Sequence, residues 1–311
     1  MNKAYRLLVL SSIIIVSLFF INADSFTKKE IALNIIQKDT VKNTSESYQI
    51  KALKIPTYLS FAGESVPIKK PDVKERIDRE LLVNTYWQSN GLLFFKRANK
   101  YFPTMEPILK EYGIPDDFKY LALIESGLQN ITSPAGARGF WQLMPKTARE
   151  YSLEVNDNVD ERYNLEKSTI AACKYLLEAK AKFGNWTLAA AAYNAGKRGI
   201  EKKIQQQQVV NYYDLLLIEE TARYLPRIVA IKEILKNPYK YGFVFDKSDL
   251  YTKEKTKTIL VDTAITNLAS FAKKQDINYK LLKIQNPWLR ENKLNNKSGK
   301  LYQIKIPIET L

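Results

Sequence analysis

The chain has 311 residues, enough for one medium domain and a smaller one, and its 45% hydrophobic and 26% charged residues fit a globular protein with a sizeable core. It has no histidine and one cysteine, Cys173, which excludes a Ser-His-Asp triad, a Cys-His dyad, a histidine zinc site, an intrachain disulfide and a cysteine metal cluster. The formal charge of +15 favours anionic partners. The lysines are spread along the chain and no zinc-finger or RNA-binding signature occurs, so nucleic acid is not expected. Peripheral association with a membrane surface or an anionic polymer stays open. Acid–base chemistry must fall to Asp, Glu, Lys or Tyr, and no metal or cofactor is expected.

In chain order, Lys3 and Arg6 precede an almost wholly apolar run from Leu7 to Ile21, and Ala23 follows as a small residue. The run is short for a bilayer span, so residues 1–23 read as a cleaved secretory signal, with an uncleaved anchor as the alternative. No cysteine near that point could carry a lipid. Residues 24–72 are polar and punctuated by Pro56, Pro67 and Pro71, the composition of an extended linker. Helical patterning runs from Val73 to about Tyr112, with Trp87, Leu92, Leu93 and Phe94 as core candidates, and strengthens from Ile114 to about Leu235. Ala172, Tyr175, Leu176, Ala179 and Phe183 form an apolar stripe closed by Gly184. Trp186 to Ala195, with four consecutive alanines, predicts a closely packed central helix ending at Gly196. Beyond a boundary near 245, two strand patterns (Thr256 to Val261, Leu301 to Ile306) flank two helical ones (Thr266 to Lys274, Tyr279 to Gln285). The expected architecture is mainly α: a helical domain over 73–245 and a small βααβ domain over 246–311.

Pro115 suits the first turn of a helix, and Asp116 and Asp117 suit its positive end. On that helix Phe118, Leu121 and Ala122 share one face, and Glu125 falls seven, four and three residues beyond them. A carboxyl group there is desolvated, which raises its pKa towards that of a general acid. Gly127 ends the helix, leaving Glu125 in its last turn. Periodicity alone favours a buried Glu paired with an arginine or capping a helix end. The stretch from Ser133 to Pro145 combines a small-residue loop with Trp141, Gln142 and Met144. Glycines there allow close backbone approach to a ligand and Gln142 can bond sugar hydroxyl or acetamido groups, although Trp141 and Met144 also fit a plain core.

Glu125-Ser126, then Gly136-x-x-Gly139-x-Trp141-Gln142-x-Met144-Pro145-x-Thr147-Ala148, then Ala191-Ala192-Tyr193-Asn194-Ala195-Gly196, resemble the soluble lytic transglycosylase domain in residues, order and spacing over about residues 80–240. The arrangement is similar to the membrane-bound lytic transglycosylase D type, which pairs such a domain with C-terminal LysM modules. The resemblance implies a lysozyme-like helical fold with a groove, and cleavage of the β-1,4 bond between N-acetylmuramic acid and N-acetylglucosamine in peptidoglycan, in the cell envelope. It implies Glu125 as the catalytic acid and six residues of the substrate site: Ser126 positioning the helix end, Ser133 supporting the acetamido group, Gln142 and Tyr193 holding the glycan, Asn194 shaping the helix end, and Tyr224 (in Glu220-Thr221-Ala222-Arg223-Tyr224) near Glu125.

Glycosidases usually need two carboxyl groups. Here one sits in a strong motif, while Glu150, Glu154, Asp157 and Asp160 read as solvated or capping. The resemblance therefore implies that the substrate's acetamido oxygen attacks C1 and that a 1,6-anhydro ring closes without water. A goose-type lysozyme-like hydrolase and a glycan-binding protein with a vestigial site are the alternatives. Leu268-x-x-Phe271-Ala272, Ile277, Leu281, Asn286-Pro287-x-Leu289, Gly299, Leu301 and Ile306-Pro307 resemble a LysM module, a type that binds N-acetylglucosamine-containing glycans. Val261-Asp262-Thr263 stands where the module usually has Gly-Asp-Thr. Trp288 could stack on sugar, or the module could simply pack against the helical domain.

Overall fold

The computed structural model describes residues 50–308; the reading of residues 1–23 and that of residues 24–49 of the expected linker lie outside the described residues. Among the described residues no helix is long and apolar enough to cross a membrane.

A short antiparallel hairpin, β1 (Ser60–Phe61) and β2 (Glu64–Ser65), opens the described chain. It belongs to the core, unlike an extended linker. Leu59, Phe61 and Val66 are buried, and Phe61 packs edge-on against Phe118 with ring centroids 4.9 Å apart. The Glu64 carboxylate accepts the Trp186 and Thr187 backbone N–H groups at 2.5 and 2.9 Å, placing negative charge on a helix N-terminus.

Helices α1 (Pro71–Tyr86), α2 (Gln88–Glu111), α3 (Phe118–Ser126), α4 (Pro145–Glu150), α5 (Leu165–Phe183), α6 (Trp186–Ala195), α7 (Lys197–Gln207), α8 (Glu219–Ala222) and α9 (Tyr224–Lys236) follow, with 3-10 turns between some of them. Their ends follow local chemistry. Pro71 starts α1, where a missing N–H costs nothing. Asn164 and Asn185 cap α5 and α6 by accepting the Lys167 and Leu188 N–H groups at 3.0 and 2.8 Å. α6 lies at the centre: Leu188 to Ala192 are fully buried. α5 packs on it and on α2, while α9 lies along α1 and touches α3 and α6. Trp87 is 60% exposed because it occupies the joint between α1 and α2, where the backbone leaves helical geometry and the face that periodicity would bury turns outward. Phe94 is buried as expected, and Leu92 and Leu93 are half-buried.

After α9 the chain stays on the helical core: Tyr241 and Phe243 are buried in it, and Phe245 and Leu250 pack against it. The final unit is β3 (Thr256–Val261), α10 (Leu268–Lys274), α11 (Tyr279–Gln285) and β4 (Tyr302–Pro307), with β3 and β4 antiparallel in the register Thr256 to Pro307 through Val261 to Tyr302. Its core of Leu268, Leu282, Leu289, Ile304 and Ile306 is completed by Val159 and Tyr163 from the helical part. Trp288, a candidate sugar-stacking residue, is 4% exposed and stacked on Tyr302 at 5.5 Å. Its ring packs the module's core and is not free to receive a sugar face.

The segment between α4 and α5 joins the two parts. Val159 pairs with Leu289 in an isolated bridge, the Asp160 N–H donates to the Trp288 carbonyl at 2.9 Å and the Arg290 N–H to the Asn158 carbonyl at 2.9 Å. Lys300 contacts Glu154 and Glu161 at 2.7 and 3.0 Å, Tyr302 donates to Glu154 at 2.9 Å and Lys305 pairs with Glu166.

Candidate active site

α3 owes its position to its two ends. The Asp117 carboxylate accepts the Ala62 N–H at 2.7 Å and pairs with Lys232 at 2.5 Å, so it ties the hairpin and α9 to the helix start and caps none of the helix's own N–H groups. Helical geometry begins at Phe118, after a turn closed by Phe118 N–H to Pro115 O at 3.0 Å. Gly127 ends α3 at φ +59°, with its N–H bonded to Leu123 O at 2.8 Å. Phe118, Leu121 and Ala122 are fully buried and carry Glu125 inward with them, half-buried in the last turn.

Burial pushes the Glu125 carboxyl from 4.5 up to about 7; the Tyr224 hydrogen bond and the nearby Arg227 charge pull it down, and Glu220 pushes it further up. The Tyr224 hydroxyl donates to Glu125 Oε1. Tyr224 is itself buried at the start of α9, and burial followed by the adjacent carboxyl raises its pKa, so it acts as a neutral donor. Among the described residues no cation lies within 4.0 Å of Glu125 in an ion pair. Nor does any cluster of three or more metal-ligating side chains occur among them.

The loop from Gly127 to Met144 is held by its own backbone and by what surrounds it. Ser133 accepts the Gly136 N–H on its carbonyl and the Ala137 N–H on its hydroxyl at 3.0 Å, closing the small-residue turn. Gln142, at φ +46°, donates its side-chain amide to Gly139 O at 2.8 Å and Ile131 O at 3.2 Å. Trp141 is fully buried and donates to Thr169 at 2.9 Å, whereas Met144 is 42% exposed.

Ser126, expected to position the helix end, lies buried there. It is 3% exposed and its hydroxyl donates to Phe140 O at 2.8 Å, which fastens the end of α3 to the loop. Tyr193 is half-buried on α6 and donates to Trp141 O at 2.7 Å, supporting the loop from below. Burial and the Glu125 charge raise its pKa. Asn194, one residue on, accepts from Thr221 at 2.8 Å and donates to Glu220 at 3.4 Å, joining the end of α6 to α8. Glu125, Tyr193 and Tyr224 are thus brought together from α3, α6 and α9, with Asn194 and Glu220 beside them. Ser133 and Gln142 belong to the loop.

Sequence reasoning missed the clamp behind this loop. Asp160, which its polar surroundings in the sequence mark as solvated or capping, is 1% exposed. It does accept the Arg162 N–H, but its carboxylate also grips the Arg162 guanidinium with both oxygens, at 2.9 and 2.8 Å. Arg162 donates in turn to Gly136 O and Leu143 O at 3.0 and 3.1 Å. Glu150 and Asp157 are exposed as expected, and Glu154 is half-buried against Lys300. The spacing of Asp160 and Arg162 two apart was visible, but nothing local indicated that both are buried.

Residues 106–215 match the transglycosylase SLT domain family, and residues 257–310 match the soluble lytic transglycosylase C-terminal LysM-like domain family. The chain is 30% identical over 199 residues to the membrane-bound lytic murein transglycosylase D of Escherichia coli strain K12, and equally to that of Escherichia coli O6:H1. Those matches cover 61% of this chain and 43% of each relative, so the chain spans less than half the length of these curated relatives.

Proposed function

We propose that this chain, which contains a transglycosylase SLT domain and a LysM-like domain, is a lytic transglycosylase of the cell envelope that cleaves the MurNAc-β-1,4-GlcNAc bond of peptidoglycan and leaves 1,6-anhydro ends. One observation carries the reading: Glu125 is desolvated, hydrogen-bonded by a neutral tyrosine and not neutralised by a contacting cation, so near pH 7 a large share of it holds a proton.

In this mechanism Glu125 protonates the glycosidic oxygen as the C1–O4 bond breaks, and the muramic acid acetamido oxygen bonds to C1 from within the same sugar. The Glu125 carboxylate then takes the proton of that sugar's C6 hydroxyl, O6 bonds to C1 and the acetamido oxygen leaves. The proton returns to Glu125 and no water is consumed. Tyr224 holds the carboxyl in one orientation through both halves. The side-chain oxygen of Gln142 and the polar end of Asn194 are the groups we assign to the glycan, while Ser126, Ser133 and Tyr193 shape the walls that present them.

Mass spectrometry of products released from purified sacculi tests this. The expected ends are anhydro-muramic, one water lighter than reducing ends. Glu125→Gln keeps the shape, cannot exchange the proton, and should lower release by at least about 10²-fold. Reducing ends from the wild type would assign a hydrolase, and undiminished release by the variant would remove Glu125 from the chemistry.

A further inference from the structure

Glu80, on α1, is 1% exposed, and three guanidinium groups converge on its carboxylate. Arg79 and Arg223 lie 2.8 and 2.7 Å from Oε1, and Arg227 Nε lies 3.6 Å from Oε2. Arg223 and Arg227 flank Tyr224 at the start of α9, and Tyr224 holds Glu125. The first turn of α9 therefore presents a tyrosine to one carboxyl group and two arginines to another. The groups around Glu125 are Tyr224 and Arg227 from α9, Glu220 from α8 and Tyr193 from α6. Arg227 is the one cation among them. It is near enough for its charge to act on Glu125, yet its guanidinium is engaged with Glu80 and makes no ion pair with Glu125 within 4.0 Å.

An arginine in direct contact lowers a carboxyl pKa by about 1–3 units, which would leave Glu125 ionised at neutral pH with no proton to give. We propose that Glu80 is a positioning residue that anchors Arg227 and so prevents an Arg227–Glu125 ion pair. The inference rests on Glu125 being the catalytic acid. Arg223 divides its contacts between Glu80 and Glu219, the latter at 3.7 Å, and so keeps a second acceptor if Glu80 is lost. Arg227 has no such second carboxylate within 4.0 Å among the described residues, and Glu125 is the neighbour it would turn to.

The test is an NMR titration of the full chain carrying 13C-carboxyl-labelled glutamate, with the Glu125 signal identified as the one missing from Glu125→Gln. Glu80→Gln should lower the Glu125 midpoint by about one pH unit or more, and Arg227→Gln should raise it. In the Arg227→Gln background the effect of Glu80→Gln should largely vanish. Glu80→Asp keeps the charge that the arginines need for folding but withdraws the carboxylate, and should lower the midpoint by a smaller amount. An unchanged or raised midpoint in either Glu80 variant overturns the proposal, as does a Glu80→Gln shift that persists undiminished without Arg227. The titration needs no substrate, so its failure is distinct from failure of the enzymatic assignment, which the activity of Glu125→Gln decides. Where Glu125 is the acid, the pH above which kcat/KM declines should move down in Glu80→Gln and up in Arg227→Gln.

Discussion

Glu125 titrates near 4.5 in the unfolded chain and near 7 in the folded protein, chiefly because folding strips water from its carboxyl. Between those values the folded state holds a proton that the unfolded chain has released, so stability falls as pH rises through this window and the loss is complete above it. The size is about 3 kcal/mol. Glu125→Gln cannot ionise and escapes that loss. The variant is expected to match the wild type in urea unfolding at pH 4 and to exceed it at pH 8 by up to about 3 kcal/mol. A variant less stable than wild type at pH 8 would mean that its surroundings favour the carboxylate. That the proton-transfer role proposed for Glu125 comes with a loss of fold stability is the ordinary conflict between activity and stability. The position of Glu125 on an apolar helical face was readable in the sequence. Glu80 was not singled out in the sequence; the structure places it with Val73, Ile77 and Leu81 on the buried face of α1 and brings three arginines to it.

Among the elements, the loop between α3 and α4 depends most on a single backbone position. Gly139 sits at φ +79°, and a Cβ there would lie 2.0 Å from the Arg162 carbonyl oxygen and 2.8 Å from its carbon. That oxygen is backbone and cannot swing away. Gly139→Ala combines a left-handed conformation with overpacking and should cost roughly 2–5 kcal/mol. Thermal unfolding checks the stability. Lytic activity per folded molecule should also fall, because Gly136, Gln142 and Leu143 are fixed through the same contacts. Gly136, at φ +87° with nothing within 4 Å of its would-be Cβ, is the control: Gly136→Ala carries the conformational cost without the clash, about 1–2 kcal/mol. The glycine spacing of this motif was plain in the sequence. Why one glycine is sterically obligatory and the other conformationally so became clear only when Arg162 was seen behind the loop.

In the whole molecule, the LysM-like module shares its core with the helical part. Val159 is 1% exposed and Tyr163 is 5% exposed, and both complete an apolar cluster whose other members come from residues 261–306. The same segment carries Asp160 and Arg162, so the module's anchor and the loop's clamp are neighbours along one stretch of backbone. Residues 50–308 are therefore expected to melt in one cooperative transition by calorimetry, and Val159→Ala to lower that transition as a whole by about 2 kcal/mol. Two separated transitions, with only the lower one moved, would mean the module folds independently of the helical part.

The sequence by itself determined the elements and the residues of the candidate site. Strand and helix periods marked the βααβ unit and the helices from Ala172 to Gly196, and the glycine, tryptophan and Glu-Ser motifs marked the candidate site. These signals are local, arising from the fixed rise and turn of each element, and survive without knowledge of neighbours. Tertiary structure decided which neighbour each polar or aromatic group meets. Trp87 turned outward at a helix joint, Trp288 turned into the module core, Ser126 was committed to Phe140 O, and Glu80 met an arginine 143 residues away in the chain. Contacts of that span depend on how whole helices pack, because burial and partnering are properties of the assembled core.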